Sequence, residues 1–279
     1  MGANNTKKLK NRIKSVSSTR HLTKAMEIVA ASKLKNATIA MENARSYFNA
    51  MRDAIPPLAA AGEDSVYTAP REIKRTCFVV IAGDRGLAGG YNNNIFKLAV
   101  SIIGSRDRDC VVLPIGKKCM DYFSSKGYRV GTRDFPSVEK ISLESCTDLG
   151  RRLADRYARG RIDEVVLIYT RHRNILSQFT DTITLLPIRK DEDIRDESVL
   201  FEPSVAAVAD TIIPDYLGGM IYGAVRESFT SELSARRMAM DSAYKNATEM
   251  VNQLNLEYNR ARQGAITQEL TEIIGGTVE

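Results

Sequence analysis

The chain has 279 residues, of which 43% are hydrophobic and 27% charged, so it is long enough for one or two domains with buried cores. It contains no apolar run of about 18 residues, which argues against a transmembrane helix. It has only two histidines, and its four cysteines form no CxxC pair. A histidine-based metal or catalytic cluster and a disulfide framework are therefore disfavoured, and a reducing compartment fits best.

The net charge of +6 is concentrated at the start of the chain. Residues 1–35 contain nine lysines and arginines against the single acid Glu27, a net charge of +8, which leaves −2 for the remaining residues. Such an asymmetry is typical of a segment that meets an acidic partner, whether nucleic acid, an anionic lipid surface or acidic loops of another protein. A solvated helix face is the alternative explanation.

Residues 5–55 show the periodicity of one long helix. An apolar seam recurs every seven residues, and alanines beside it would let a second helix approach closely. Pro56 and Pro57 are expected to end the helix, because proline removes a backbone donor and disfavours helix in the preceding residue. We therefore predict an N-terminal helical segment over residues 1–56. The seam comprises Leu34, Met41, Phe48 and Ile55 and extends back to Ala30, with Ala37, Ala44 and Met51 three residues on.

The middle of the chain, residues 75–200, consists of short apolar runs that alternate with helical patterns. Three runs rich in β-branched residues are expected to be buried strands, and a fourth apolar run follows later. This alternation favours a mostly parallel sheet with crossover helices, in a Rossmann-like α/β domain. The charged stretch Lys190–Glu197 is expected to be an exposed loop. The apolar runs are Cys77–Ala82, Cys110–Ile115, Val165–Tyr169 and Ile183–Ile188, and the predicted helices are Asn94–Gly104, Lys117–Lys126 and Leu143–Arg159.

A glycine-rich turn, Gly83–Gly90, stands directly after the first predicted strand, where α/β proteins often bind phosphate at a helix N-terminus. It matches neither common phosphate motif, since no lysine followed by serine or threonine completes a P-loop and the GxGxxG pattern is absent. We favour a structural turn, with Asn92–Asn94 capping the next helix and Arg85 as an exposed or domain-bridging charge. A phosphate site is the alternative.

Residues 204–279 form the second long helical segment. Apolar residues follow the seven-residue repeat of a coiled coil for more than four heptads. Pro214 and the pair Gly218–Gly219 predict a kink or break, so the uninterrupted rod is expected to begin after Gly219. The repeat comprises Leu233, Met240, Ala247, Leu254 and Ala261, with Ala243 and Met250 three residues on and Tyr244, Val251, Tyr258 and Ala265 four residues on.

A helix of this length needs a second long helix to cover its apolar face, and the start of the chain supplies one. We predict that the two chain ends form a long antiparallel coiled coil, closed by the α/β domain between them. In this arrangement Leu34, Met41 and Phe48 face the series from Leu233 to Ala261.

Three regions, at the start, middle and end of the chain, resemble the gamma subunits of F-type ATP synthases. The first is HLTKAMEIVAASK at His21–Lys33, and the second is the glycine-rich turn GDRGLAGG. The third comprises YNRARQ at Tyr258–Gln263 and ITQELTEIIGG at Ile266–Gly276. These regions occur in the order found in the family and cover essentially the whole chain. Two departures, Ala88 where the family often has cysteine and Thr277 where alanine is usual, lie outside the heptad seam.

The resemblance implies a rotor shaft whose coiled coil turns inside a ring of alternating alpha and beta subunits. The α/β domain would dock on the epsilon subunit and on the membrane ring of c subunits, at the cytoplasmic side of the bacterial plasma membrane. The resemblance further implies no cofactor, no metal and no active site on this chain, which would be a non-catalytic subunit of a proton-transporting enzyme. Partner contacts are implied at Lys24, Met26, Arg236, Arg262, Gln263, Thr267 and Glu269.

Two other classes of function compete with this interpretation. A nucleic-acid-binding coiled coil would explain the basic first helix, but it predicts aromatic or base-reading side chains among the basic residues, where this helix carries a stripe of small apolar ones. A phosphate-binding α/β enzyme would explain the glycine-rich turn but not the two long helices.

Overall fold

The fold is described from a computed structural model of the chain. It covers residues 2–61, 65–69, 71–105, 109–132, 137–188, 201–202 and 204–276, without the side chains of residues 2–5, 47, 51, 52, 54, 59–61, 269 and 272–276. The chain packs as two compact units: a terminal unit of residues 1–31 with 236–279, and a central unit of residues 32–235. The division of the chain into segments 1–56, 75–200 and 204–279 stays a prediction, and the predicted loop at Lys190–Glu197 lies outside the described residues.

The first helix, α1, spans Gly2–Ala61 and continues through Pro56 and Pro57, so the predicted end of the helix at these prolines is wrong. Packing explains the difference. Ile55 and Leu58, on either side of the two prolines, are both buried in the main core of the central unit. Burying a large aliphatic side chain contributes about 1.5–3 kcal/mol. Two such side chains contribute about 3–6 kcal/mol, which offsets much of the roughly 6 kcal/mol that two prolines cost within a helix.

A four-stranded sheet forms the middle of the central unit. Its strands are β1 (Arg75–Ile81), β2 (Asp109–Ile115), β3 (Glu164–His172) and β4 (Gln178–Leu186), in the order β2-β1-β3-β4. β1 pairs in parallel with both β2 and β3, whereas β3 and β4 are antiparallel. The predicted mostly parallel sheet is confirmed. The fourth apolar run contributes to the half-exposed edge strand β4.

Three shorter helices lie close to their predicted positions: α2 (Tyr91–Gly104), α3 (Lys117–Ser125) and α4 (Leu143–Ala158). Successive residues of a strand point to opposite faces, so the sheet builds two cores. Phe78 and Val80 of β1 lie in one core with residues of α2 and α3, while Val79 and Ile81 lie in the other with residues of α4. Ser142 begins α4 by accepting a hydrogen bond from the backbone N of Ser145 (3.1 Å).

The last helix, α5, spans Val205–Gly276 without a break, so the predicted start of the rod after Gly219 is wrong. Gly218 instead lies where α5 crosses α4. A Cβ on Gly218 would lie 2.5 Å from the Cα of Thr147 in α4, and a Cβ on Gly150 would lie 2.5 Å from the backbone N of Gly218. Glycine at both positions lets the backbones of α4 and α5 approach closely, which no larger residue would permit.

Within the central unit, α1 and α5 run antiparallel. Leu34 and Ala37 share a buried cluster with Leu233, while Phe48, further along α1, packs beside Gly223, which comes earlier in α5. The predicted antiparallel pairing of the chain ends with an α/β domain between them is therefore confirmed. The predicted partner of Phe48 is wrong, since Phe48 packs against Gly223, which precedes the heptad series that begins at Leu233.

In the part of the chain that the structure describes, no helix combines the length and the apolar character needed to cross a bilayer. The same residues contain no group of three or more histidine, cysteine or acidic side chains arranged to hold a metal ion. All four cysteines are free, and burial raises the pKa of the Cys77 and Cys146 thiols to about 12. These two thiols therefore stay protonated and act as core groups.

Candidate functional site

The terminal unit contains every residue for which the sequence predicts a partner contact. Its buried seam on α5 follows the predicted repeat at Met240, Ala247 and Leu254, but of the two apolar positions predicted after Ala247 only one is buried. Val251, four residues after Ala247, is buried, whereas Met250, three residues after it, is 42% exposed. With 3.6 residues per turn, a residue four places on lies about 40° from the seam and one three places on about 60°. Met250 is thus turned outward.

Glu27 links the two helices of the terminal unit. Its carboxylate lies 3.0 Å from Lys24 Nζ on the same helix and 3.7 Å from Arg237 Nε on α5. Lys24 also lies over the ring of Tyr244, at 5.2 Å from the ring centroid. Since the earlier residue of α1 meets the later residue of α5, the helices are antiparallel here as well. Arg237, which pairs with Glu27, is the neighbour of Arg236, for which a partner contact is predicted.

Acidic side chains interrupt the positive charge of this unit. The hydrogen bond and the charge of Glu27 raise the pKa of Lys24, so the ammonium stays protonated. On α5, Asp241 accepts a hydrogen bond from Lys245 (2.7 Å), and this bond is the main cause of the lowered pKa of Asp241. The exposed basic residues nearer the start of α1 are Lys7, Lys8, Lys10, Arg12 and Lys14. The unit therefore offers a partner a mixed pattern of charge around Glu27 and a basic surface on the first turns of α1.

The predicted contact residues fall into two sets along the helices. In the first, Lys24 is exposed, while Met26 and Arg236 are partly buried. In the second, Arg262, Gln263 and Thr267 are all exposed on α5, and the side chain of Glu269 lies outside the described residues. Thr267 Oγ1 donates to the backbone O of Gln263 (3.0 Å), which orients that hydroxyl along its own helix. Solvent exposure leaves the side chains of Arg262, Gln263 and Thr267 accessible to a partner.

The terminal unit also exposes large apolar side chains away from its seam, a feature that the sequence prediction missed. Leu22, Leu256 and Leu270 are each more than half exposed. The available signal was the presence of large apolar residues outside the heptad positions, which a two-helix coiled coil does not need. Exposed apolar side chains of this size are candidates for contacts with a partner. The whole set is Leu22, Ile28, Val29, Met238, Met250, Leu256, Ile266 and Leu270.

The glycine-rich turn is built from internal hydrogen bonds. Asn92 Oδ1 accepts from the backbone N of Gly83 (2.9 Å), and Asn92 Nδ2 donates to the backbone O of Arg85 (3.1 Å). Asp84 Oδ1 accepts from the backbone N of Lys117 (3.0 Å), and Asp84 Oδ2 accepts from Ser137 Oγ (2.6 Å). These polar side chains therefore serve the fold, as a structural turn requires. The predicted cap at Asn92–Asn94 is wrong, because α2 begins after Gly90 without a side-chain cap.

Comparison with known proteins identifies relatives over almost the full length. A family model described as ATP synthase matches residues 5–278. The ATP synthase gamma chain of Ruminiclostridium cellulolyticum is 40% identical over 288 aligned residues, which cover 98% of each chain.

Solved structures show the same fold at lower identity. A rotor chain of the Euglena gracilis mitochondrial ATP synthase has a TM-score of 0.67 at 15% identity, covering 95% of this chain and 99% of that one. A chain from the central stalk and c-ring structure of the Tetrahymena thermophila mitochondrial ATP synthase has a TM-score of 0.59 at 23% identity, covering 80% of this chain and 99% of that one.

Proposed function

The chain belongs to the ATP synthase family, among the gamma chains, and on this premise we propose that it is the central-stalk rotor shaft of an F-type ATP synthase. It transmits rotation between a proton-driven membrane ring of c subunits and a catalytic ring of alpha and beta subunits, and so couples proton translocation to ATP synthesis. The proposal gives this chain a mechanical role, with the catalytic sites on other subunits.

The observation that carries the proposal is the apolar surface of the terminal unit. Its two helices already bury a seam against each other, at Ala30 of α1 and at Met240 and Leu254 of α5. The exposed apolar side chains therefore form a second contact surface, on the outside of a helix pair. A shaft enclosed by a ring of subunits needs such outward contacts, since it meets partners around its circumference.

Partner contacts are proposed on both helices. Lys24, Met26 and Arg236 would meet the catalytic ring together, and Arg262, Gln263, Thr267 and Glu269 would meet it further along α5. Exposed ion pairs contribute only about 0–1 kcal/mol each and are screened by salt. The apolar contacts are therefore expected to carry most of the binding, and the charges to tune it.

The central unit is proposed to dock on the epsilon subunit and on the c ring, at the cytoplasmic side of the bacterial plasma membrane. The related structures support this arrangement, since one is of a rotor and the other of a central stalk with its c ring. The bacterial source of the 40% identical relative supports the bacterial setting.

The proposal is tested by co-purification of tagged full-length chain with alpha and beta subunits. Leu256→Asp places a charge at an apolar position that is 60% exposed, so it should leave the chain folded and weaken its retention in the complex. Asn255→Asp adds the same charge at the neighbouring exposed position and serves as the control. A chain that does not co-purify with a hexameric ATPase, or that loses retention equally in both variants, would refute the proposed contact surface.

A further inference from the structure

A concave site lies in the central unit, near the amino ends of the strands. It is a pocket of about 530 Å³ with an apolar floor and a rim of arginines. The floor is formed by Cys77, Val111, Val130, Leu153 and Ile162. It lies near the starts of β1 and β2, whereas the glycine-rich turn follows the end of β1. The pocket and the glycine-rich turn are thus at opposite ends of the strands.

Four guanidinium groups surround this floor: Arg75, Arg129, Arg156 and Arg161. They come from four different parts of the chain, namely the first residue of β1, the segment after α3, the last turns of α4 and the loop that follows α4. This convergence of like charges on one cavity is electrostatically unfavourable unless an anion is present.

The backbone holds each of these arginines in place. The backbone N of Arg75 donates to Asp163 (2.9 Å), and the backbone N of Arg161 donates to the backbone O of Arg156 within the turn that ends α4 (2.9 Å). The backbone O of Arg129 accepts from the N of Val112 (2.9 Å), which ties its segment to β2. The rim is therefore anchored to the sheet and to α4, so that a ligand need order only the side chains.

The carboxylates nearby leave most of this charge unbalanced. Asp109 serves two arginines at once, with its Oδ2 at 3.6 Å from Arg75 Nε and 3.2 Å from Arg129 Nη1. Among the described residues, Arg156 and Arg161 form no ion pair with any carboxylate. Asp163 Oδ2 accepts from the backbone N of Lys74 and of Arg75, and Asp163 Oδ1 lies 3.9 Å from Arg71 Nη1. Asp109 is thus shared between two of the four arginines, and Asp163 pairs with an arginine outside the rim.

The floor itself adds no charge. Burial raises the pKa of the Cys77 thiol to about 12, although the nearby Arg156 guanidinium opposes this shift. The thiol is therefore neutral and behaves as part of the apolar surface.

We propose that this pocket binds a phosphate-bearing organic anion, with the phosphate held by the arginine rim and an apolar portion resting on the floor. Arginine presents planar pairs of N–H donors that match phosphate oxygens, and clusters of arginines are a recurring means of phosphate recognition. The ligand could be a soluble phosphorylated compound or the headgroup region of an anionic lipid, since both combine a phosphate with an apolar portion.

The proposal is tested by calorimetry on the full chain with phenyl phosphate, which joins one phosphate to one apolar ring, at about 0.1 M salt to screen non-specific attraction. Saturable binding is expected, and Arg156→Gln and Arg161→Gln should each weaken it about tenfold or more, because each removes charge-assisted hydrogen bonds. Both side chains are exposed, so the variants should keep the melting temperature of the parent chain.

Arg159→Gln is the matched control. Arg159 is also an exposed arginine at the end of α4, but it pairs with Asp155 (2.8 Å) and does not line the pocket. Its replacement should leave the affinity for phenyl phosphate unchanged. An equal loss in this variant would show that general positive charge, and not the pocket, binds the probe, and would overturn the proposal.

Two further measurements distinguish a lipid headgroup from a soluble phosphorylated compound as the ligand. Binding to vesicles of phosphatidylcholine with phosphatidylglycerol that is lost in Arg156→Gln would point to a lipid, whereas binding of phenyl phosphate alone would point to a soluble compound. If inorganic phosphate bound as tightly as phenyl phosphate, the apolar floor would contribute nothing to binding, and that part of the proposal would be overturned. The absence of saturable binding in both the phenyl phosphate and vesicle arms would overturn the proposal as a whole.

Discussion

At the scale of single residues, the absence of a side chain at Gly83 makes room for Glu232 in the central unit. A Cβ on Gly83 would lie 2.7 Å from Cδ of Glu232, whose side chain is buried on α5. The glycine at the start of the turn thus leaves room for a carboxylate that comes from a residue far along the chain. The turn is fixed both by its own hydrogen bonds and by this close contact with α5.

Replacing Gly83 with alanine should lower the free energy of unfolding by about 1–3 kcal/mol, because the new methyl group must displace a buried carboxylate. Denaturant unfolding of the full chain measures the effect. Gly86→Ala in the same turn is the control, since a Cβ there meets no atom within 4 Å. Equal stability of the two variants would contradict the proposed contact.

Met26 is the residue at which charge should act most sharply on the proposed coupling. It is partly buried on α1, two residues from Lys24, in the surface proposed to meet the catalytic ring. Met26→Lys introduces a charge that is either unpaired or held too strongly in one rotary state. In the reconstituted complex it should lower the ratio of ATP-driven proton pumping to ATP hydrolysis.

Met26→Leu, which keeps the side chain apolar, is the control and should retain the parent ratio. If Met26→Lys also retained the parent ratio, electrostatic tuning at this surface would be ruled out. Steric contact between a closing loop and the shaft would then be sufficient to transmit force.

At the scale of elements, the close crossing of α4 and α5 depends on two glycines. The atoms that a Cβ on Gly218 would meet are backbone atoms of Thr147 and Cys146, which cannot rotate away. Gly218→Ala should therefore destabilise the chain by about 3 kcal/mol. Gly264→Ala, in an open part of the same helix, should instead stabilise it by up to about 1 kcal/mol, because alanine has the higher helix propensity. Thermal or denaturant unfolding gives both values, and the same sign for both would contradict this account.

The antiparallel pairing of α1 with α5 is tested by cysteine crosslinking. Ala37 and Leu233 share a buried cluster, so the variant with cysteine at both positions should oxidise to an intramolecular disulfide. Lys35→Cys combined with Leu233→Cys is the control, since Lys35 is exposed. Non-reducing electrophoresis distinguishes the products, and intermolecular dimers alone would refute the pairing.

The elements that the sequence predicted well are those in which local pattern and packing agree. The runs beginning at Cys77, Cys110 and Val165 are apolar on both faces, as parallel strands covered on both sides must be. The predictions that failed relied on backbone rules alone. Pro56 and Gly218 lie inside long helices because core packing and a helix crossing outweigh their local cost. These contacts join residues far apart in sequence, which no local pattern reveals.

The candidate site was predictable to a lesser degree. Motif resemblance predicts contacts at Lys24, Gln263 and Thr267, but it could not show that Glu27 would pair with Arg237 on the other helix. That pairing depends on the rotation of two helices about their axes, to within a fraction of a turn. The exposed apolar residues of the terminal unit were missed for the same reason, because outward orientation follows from packing and not from composition.

At the scale of the whole molecule, the chain combines a two-helix terminal unit that has outward apolar contacts with a central unit built on a sheet. Part of the positive charge of residues 1–35 is balanced in the folded chain, where Lys33 pairs with Glu139 (2.7 Å).

The central claim, that this chain is the rotating shaft, is tested most directly by single-molecule rotation. Lys126→Cys, at an exposed position just after α3, accepts a visible probe once Cys110, the least buried native cysteine, is replaced by serine. With the alpha and beta subunits fixed to a surface, ATP should drive continuous rotation of the probe in one direction, and the rotation should stop when ATP is removed. A probe that stays still in complexes that hydrolyse ATP would contradict the account.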